Sequence, residues 1–126
     1  MISKNNNVLT GALFNNIQSM ILFWFEFLGN YIYWNRFCQG MTTVAYCDAN
    51  QKMDMVEAIY GSFACSGENA RAKLTSFPTC GKYVTSTMKS LCGEISCAGV
   101  AVNAAIFGTT NCGGGEALYL QYDCCK

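Results

Sequence analysis

Apolar and polar residues alternate most regularly near the end of the chain. There Leu118, Leu120 and Tyr122 fall on one side of an extended segment, and Tyr119, Gln121 and Asp123 on the other. A two-residue period is that of a β-strand, so residues 118–124 read as a closing strand. Residues 52–60 alternate less cleanly: Met53, Met55, Glu57 and Ile59 share one face, and Asp54, Val56, Ala58 and Tyr60 the other. This is still nearer to strand than to helix. Residues 42–47 (TTVAYC) are rich in branched and aromatic side chains and predict a strand, and residues 95–103 predict another. In residues 84–91, Met88 and Leu91 lie three apart and Gly93 follows, which predicts a short helix. Residues 66–79 are polar, contain the only proline (Pro78), and read as a long loop held between Cys65 and Cys80. Residues 109–115 (TTNCGGG) are turn material, and no internal repeat or low-complexity tract appears. Several short strands, one short helix and long cross-linked loops predict a compact mixed α+β domain.

The first 37 residues have another texture. They contain no cysteine, and after Lys4 no charge until Glu26; their most apolar run is residues 20–25 (MILFWF). This resembles the apolar core of a signal peptide behind a weakly basic start. No small-x-small cleavage site follows, the aromatic content is high, and Gln18, Ser19, Glu26 and Asn30 interrupt any membrane-spanning window. Residues 1–37 therefore read as an imperfect signal or anchor segment, a misplaced start codon being the alternative. Residues 38–126 read as the domain.

Composition narrows the class. A length of 126 residues suits one domain. Eight basic and eight acidic residues cancel, so no basic patch points to nucleic acid. All nine cysteines lie at or after Cys38. That density belongs to disulfide scaffolds of oxidising, secreted or extracellular surroundings. Zinc fits poorly, because histidine and CxxC pairs are both absent. Without histidine the usual general base and nucleophile partner is missing. The carboxylates Glu26, Asp48, Asp54, Glu57, Glu68, Glu94, Glu116 and Asp123 form no recognisable acid/base motif. A binding or structural role is expected rather than an enzyme, with no cofactor and no metal.

The order of the cysteines and the residues between them carries a resemblance. Cys47-Asp48, then Ala58-Ile59-Tyr60-Gly61 followed by Cys65, stand at the front. Residues 92–97 (CGEISC), Asn103, Ile106-Phe107-Gly108, Cys112 and the closing 118–124 stand behind. The run 38–48 (CQGMTTVAYCD) has the matching spacing between the first two cysteines. Together these resemble the sea-urchin-egg-type lectin domain, which binds L-rhamnose or D-galactose, across residues 38–124. The resemblance implies a small disulfide-rich antiparallel β-sandwich with one short helix and long ordered loops. It also implies the bridges Cys38–Cys65, Cys47–Cys124, Cys80–Cys112 and Cys92–Cys97, with Cys125 left over.

The sugar site implied by the resemblance departs from the family pattern. Gln39 stands for a Glu, Tyr60 keeps the Tyr, and Asn103 keeps an Asn when counted from Cys97. Thr109 or Thr110 stands for an Asp, Glu116 reverses a Lys, and Ser62 replaces the Arg after Tyr-Gly. Each also has a plain structural use: a half-buried aromatic for Tyr60, a turn amide for Asn103, surface positions for Gln39 and Glu116. The expected function is a secreted, non-catalytic carbohydrate-binding module with an altered pocket of Gln39, Tyr60, Asn103, Thr109 and Glu116. Its partners would be glycans of the rhamnose or galactose type, with no nucleic acid and no membrane except through the front segment. The rival expectation is an extracellular protein-interaction domain on the same scaffold, as the lectin-like domain of latrophilins engages proteins.

Overall fold

The computed structural model describes residues 31–125. The reading of a signal or anchor segment therefore lies, up to residue 30, outside the described residues. In chain order the elements are β1 (Tyr31–Cys38), β2 (Thr42–Tyr46), β3 (Lys52–Gly61), a 3₁₀ turn (Gly67–Arg71), β4 (Gly81–Tyr83), α1 (Thr85–Leu91), β5 (Ser96–Ala101), α2 (Ala104–Phe107) and β6 (Ala117–Cys125). Four strands form one sheet in the order β1-β6-β3-β4, and β2 and β5 form a second. Every pair is antiparallel. The fold is a small disulfide-rich α+β domain dominated by antiparallel sheet.

The core takes one face from the large sheet: Phe37 from β1, Met55, Ala58 and Tyr60 from β3, and Leu118, Leu120, Tyr122 and Cys124 from β6. Ala45 of β2 and Cys97 of β5 meet them from the small sheet, with Val84, Met88, Val102 and Phe107 closing the ends. Fully burying a large apolar side chain stabilises by about 1.5–3 kcal/mol, so this cluster is the main favourable contribution.

Three features differ from the sequence expectation. First, residues 31–37 belong to the domain, which therefore begins at or before Tyr31 rather than at Cys38. β1 pairs with β6 along its whole length, from Tyr31 opposite Cys124 to Cys38 opposite Ala117. Tyr33 and Phe37 turn inward from it. Second, β3 is bulged at Val56, between the pairs Met55–Tyr122 and Glu57–Gln121. One extra residue flips the faces. Met53 and Met55 face the core before the bulge, and Ala58 and Tyr60 face it after. Third, the described residues hold two helices rather than one. Residues 104–107 form a helical turn because the Asn103 side chain accepts the Ile106 N–H at 3.1 Å. Gly108, at φ 82°, ends it.

The outer face of the large sheet is covered by the long loop between β3 and β4. Arg36 fastens it from β1, donating to the carbonyls of Ala64 (2.8 Å), Ala72 (2.9 Å) and Lys73 (3.0 Å). Its guanidinium also stands 5.7 Å from the Phe63 ring centroid, and Phe63 meets Tyr119 edge-on. This cover explains why Ile59 and Tyr119, on the face away from the core, are buried as well. Where β3 meets β4 the backbones nearly touch. A Cβ on Gly61 would stand 2.5 Å from the Cys80 carbonyl and 2.9 Å from Gly81 Cα, so only glycine fits.

Four disulfides join Cys38 to Cys65, Cys47 to Cys124, Cys80 to Cys112 and Cys92 to Cys97. These are the same four pairs that the resemblance implies, and Cys125 is the free cysteine. Cys47–Cys124 ties the end of β2 to β6 across 77 residues and so staples the small sheet to the large one. Cys80–Cys112 holds the start of β4 against the loop before β6. Bridges of this kind are typical of proteins that work in oxidising, extracellular surroundings.

Candidate functional site

Tyr60 and Glu116, two of the expected site residues, lie at one end of the core, where β3 finishes and β4 and β6 begin. Tyr60 occupies the penultimate position of β3 because the bulge has turned it inward. It is 0 % exposed. Its ring packs on Phe107 of α2 with centroids 4.9 Å apart. The ring is therefore neither a half-buried aromatic nor an open platform for a sugar face. What it offers is its hydroxyl, which is buried without a hydrogen-bond partner among the described residues. An orphaned buried hydroxyl costs about 1–3 kcal/mol, so such groups call for an explanation in water or ligand.

Glu116 stands just before β6 and is 6 % exposed, which corrects the expectation of a surface residue. Its carboxylate accepts from the Thr110 hydroxyl. That bond, with the backbone N–H groups of Glu116 and Gly114, holds the carboxyl below the usual carboxylate range against the opposing effect of burial. The Tyr60 phenol is pushed up, first by burial and then by the Glu116 charge. The two groups thus share one field. Of the two threonines, Thr110 makes the contact, and its hydroxyl also accepts the Cys112 N–H at 3.1 Å. Thr109 is exposed beside it.

The other two expected residues sit on the neighbouring turns. Asn103 caps α2 with its side-chain oxygen and so positions Phe107 against Tyr60. Gln39 is exposed in the turn after β1. That turn joins the group through backbone alone: Gly40 N–H donates to Val102 C=O at 3.1 Å, and Val102 N–H to Met41 C=O at 3.0 Å.

Lys82 is a residue that sequence reasoning missed. It lies directly opposite Tyr60 in the β3–β4 ladder. Its Nζ reaches α2, where a Cβ on Gly108 would stand 2.7 Å from it. Nothing local marks Lys82, because its place depends on the register of β4 against β3. The arrangement gathers an ionised carboxylate, an orphaned phenol, a threonine hydroxyl and an ammonium group at one end of the core. Such a set can accept and donate hydrogen bonds to hydroxyl groups. Among the described residues there is no group of three or more His, Cys, Asp or Glu side chains able to hold a metal ion. Nor is any helix among them long and apolar enough to cross a membrane. No family model, curated protein or solved structure matches the chain.

Proposed function

We propose that the domain is a non-catalytic, extracellular carbohydrate-binding module of the rhamnose/galactose lectin type, with an altered pocket. The observation that carries the proposal is the buried, unpartnered Tyr60 hydroxyl in the field of the ionised Glu116, with Thr110 bonded to that carboxylate. In the proposed site Glu116 accepts from sugar hydroxyls, the Tyr60 hydroxyl completes the set, and Asn103 and Gln39 stand on the two turns at the rim. Tyr60 contributes its oxygen and not a stacking face, and Thr110 takes the part expected of Thr109. The bridge pattern supports the scaffold, and the reversal of charge at Glu116 favours a sugar that presents donors there.

An NMR titration of the full oxidised chain with L-rhamnose and D-galactose tests the proposal. Saturating shifts at millimolar sugar on Thr110, Gly114 and Glu116, lost in a folded Glu116→Gln variant, are expected. A folded chain whose amides do not move with either sugar overturns it and leaves the scaffold to a protein partner.

A further inference from the structure

A small cleft opens on the outer face of the large sheet, where the loop before β4 meets the β3–β4 pair. After the bulge, Ala58 and Tyr60 of β3 face the core. Strand alternation therefore puts Glu57 and Ile59 on the outer face. Tyr83 of β4 lies directly opposite Ile59. Residues 74–77 of the loop close the other side, and the space between them is about 170 Å³. That is room for one compact group of a few heavy atoms.

Both ends of the loop segment are held. Ahead of it, Arg36 donates to the carbonyls of Ala72 and Lys73. Behind it, Pro78 packs over the close contact of Gly61 with Gly81, and Cys80 is bridged to Cys112. A cleft held in this way is formed before a ligand arrives, so binding costs little ordering entropy.

Its chemistry is selective. Tyr83 is 61 % exposed and Phe77 43 %. Their ring centroids stand 4.9 Å apart at an interplanar angle of 38°, so each ring holds the other in place at the surface. Beside them is Glu57, which has no hydrogen bond or ion pair from its carboxylate among the described residues. Neither Lys nor Arg lines the cleft, and Ile59 and Leu74 give it apolar surface. Ring faces carry negative potential, and the carboxylate adds to it. The ligand that suits both the field and the apolar surface is a cation with an apolar shell. A neutral sugar would find only the Thr75 and Ser76 hydroxyls as side-chain donors.

We infer that this cleft binds a methylated ammonium group, such as that of choline, of a phosphatidylcholine headgroup or of trimethyl-lysine, against Phe77 and Tyr83 and beside Glu57. The inference does not rest on the lectin reading, because Tyr60 points to the other face of β3.

The test is an NMR titration of the full oxidised chain with choline and with its neutral isostere, in which a tert-butyl group replaces trimethylammonium. Saturating shifts on Glu57, Thr75, Ser76 and Tyr83 at millimolar choline are expected, with the isostere about tenfold weaker or more. Tyr83→Ala and Glu57→Gln should each weaken choline binding by about tenfold, and Tyr83→Phe should keep most of it. The exposure of Tyr83 means that its replacement should leave the domain folded. Phosphatidylcholine vesicles and a trimethyl-lysine peptide then separate the sources of the group, the stronger binder naming the natural one. No shift with choline overturns the inference. So does an isostere that binds as well as choline, or a cleft that responds only to rhamnose or galactose. Absence of sugar shifts at Thr110 and Glu116 would fail the lectin proposal and leave this one standing.

Discussion

Asp54 and Asp123 face each other across β3 and β6, and this pair is the least comfortable contact on the outer face of the sheet. One oxygen of Asp123 is buried without a hydrogen-bond partner among the described residues. Burial, and after it the Asp54 charge, push the Asp123 carboxyl above the usual carboxylate range. A raised value means that the folded chain holds this proton more tightly than the unfolded chain. Stability from this group is thus fully present below the ordinary carboxylate value and lost as pH rises through the raised one. Like charges directly opposite on a sheet destabilise by roughly 0.2–1 kcal/mol. Asp123→Asn should therefore stabilise the domain by about that amount at neutral pH, and urea unfolding should show the gain vanish in acid. The same change should speed alkylation of Cys125, whose thiol is pushed up by burial and then by Asp123 and Asp54. Glu116 has the opposite sign. Its lowered value gives stability that is present above the ordinary carboxylate range and lost as pH falls through the lowered one. Thr110→Val should move the Glu116 titration upward, as followed by the NMR shift of its carboxyl carbon.

At the scale of elements, the bulge at Val56 and the clamp at Arg36 decide most of the outcome. A strand has a period of two, so inserting one residue exchanges its faces from that point on. This is why Met55 and Tyr60, which differ in parity, both lie in the core. Arg36 acts from β1 on a loop that has little regular structure of its own. Arg36→Met keeps the length and removes every donor. It leaves the carbonyls of Ala64, Ala72 and Lys73 without the bonds that now satisfy them. Charge-assisted hydrogen bonds are worth about 1.5–3 kcal/mol each and are not additive, so a loss of about 3 kcal/mol is expected in urea unfolding. Hydrogen exchange should show the damage concentrated in residues 64–74.

The whole molecule depends on β1 and on the longest bridge. A chain cut to begin at Cys38 loses seven of the eight β1 positions that pair with β6, Phe37 and Arg36 among them. Such a chain should give a collapsed amide spectrum and mixed disulfides, whereas the full chain should fold with all four bridges. Replacing both Cys47 and Cys124 by Ala removes the closure of the 77-residue loop between the sheets. A cost of about 2–5 kcal/mol is expected, measured as a fall in the denaturant midpoint.

Local periodicity was enough to read β2, β3, β5, β6 and α1 from the residues, because side-chain alternation and helix spacing are properties of a few consecutive positions. Cysteine density was enough to read a disulfide domain. The pattern Tyr33, Asn35, Phe37 was equally legible in principle, but a domain boundary drawn at the first cysteine hid it. The site was legible only as a set of candidates. That Tyr60 is sealed inside, that Glu116 is bonded to Thr110, and that Lys82 stands over Gly108 follow from the bulge in β3 and from the registers of β4 and β6. Register and burial are set by partners distant in sequence, which pair only when the core closes. No local pattern encodes them, and tertiary structure alone decided which face of each strand met the core.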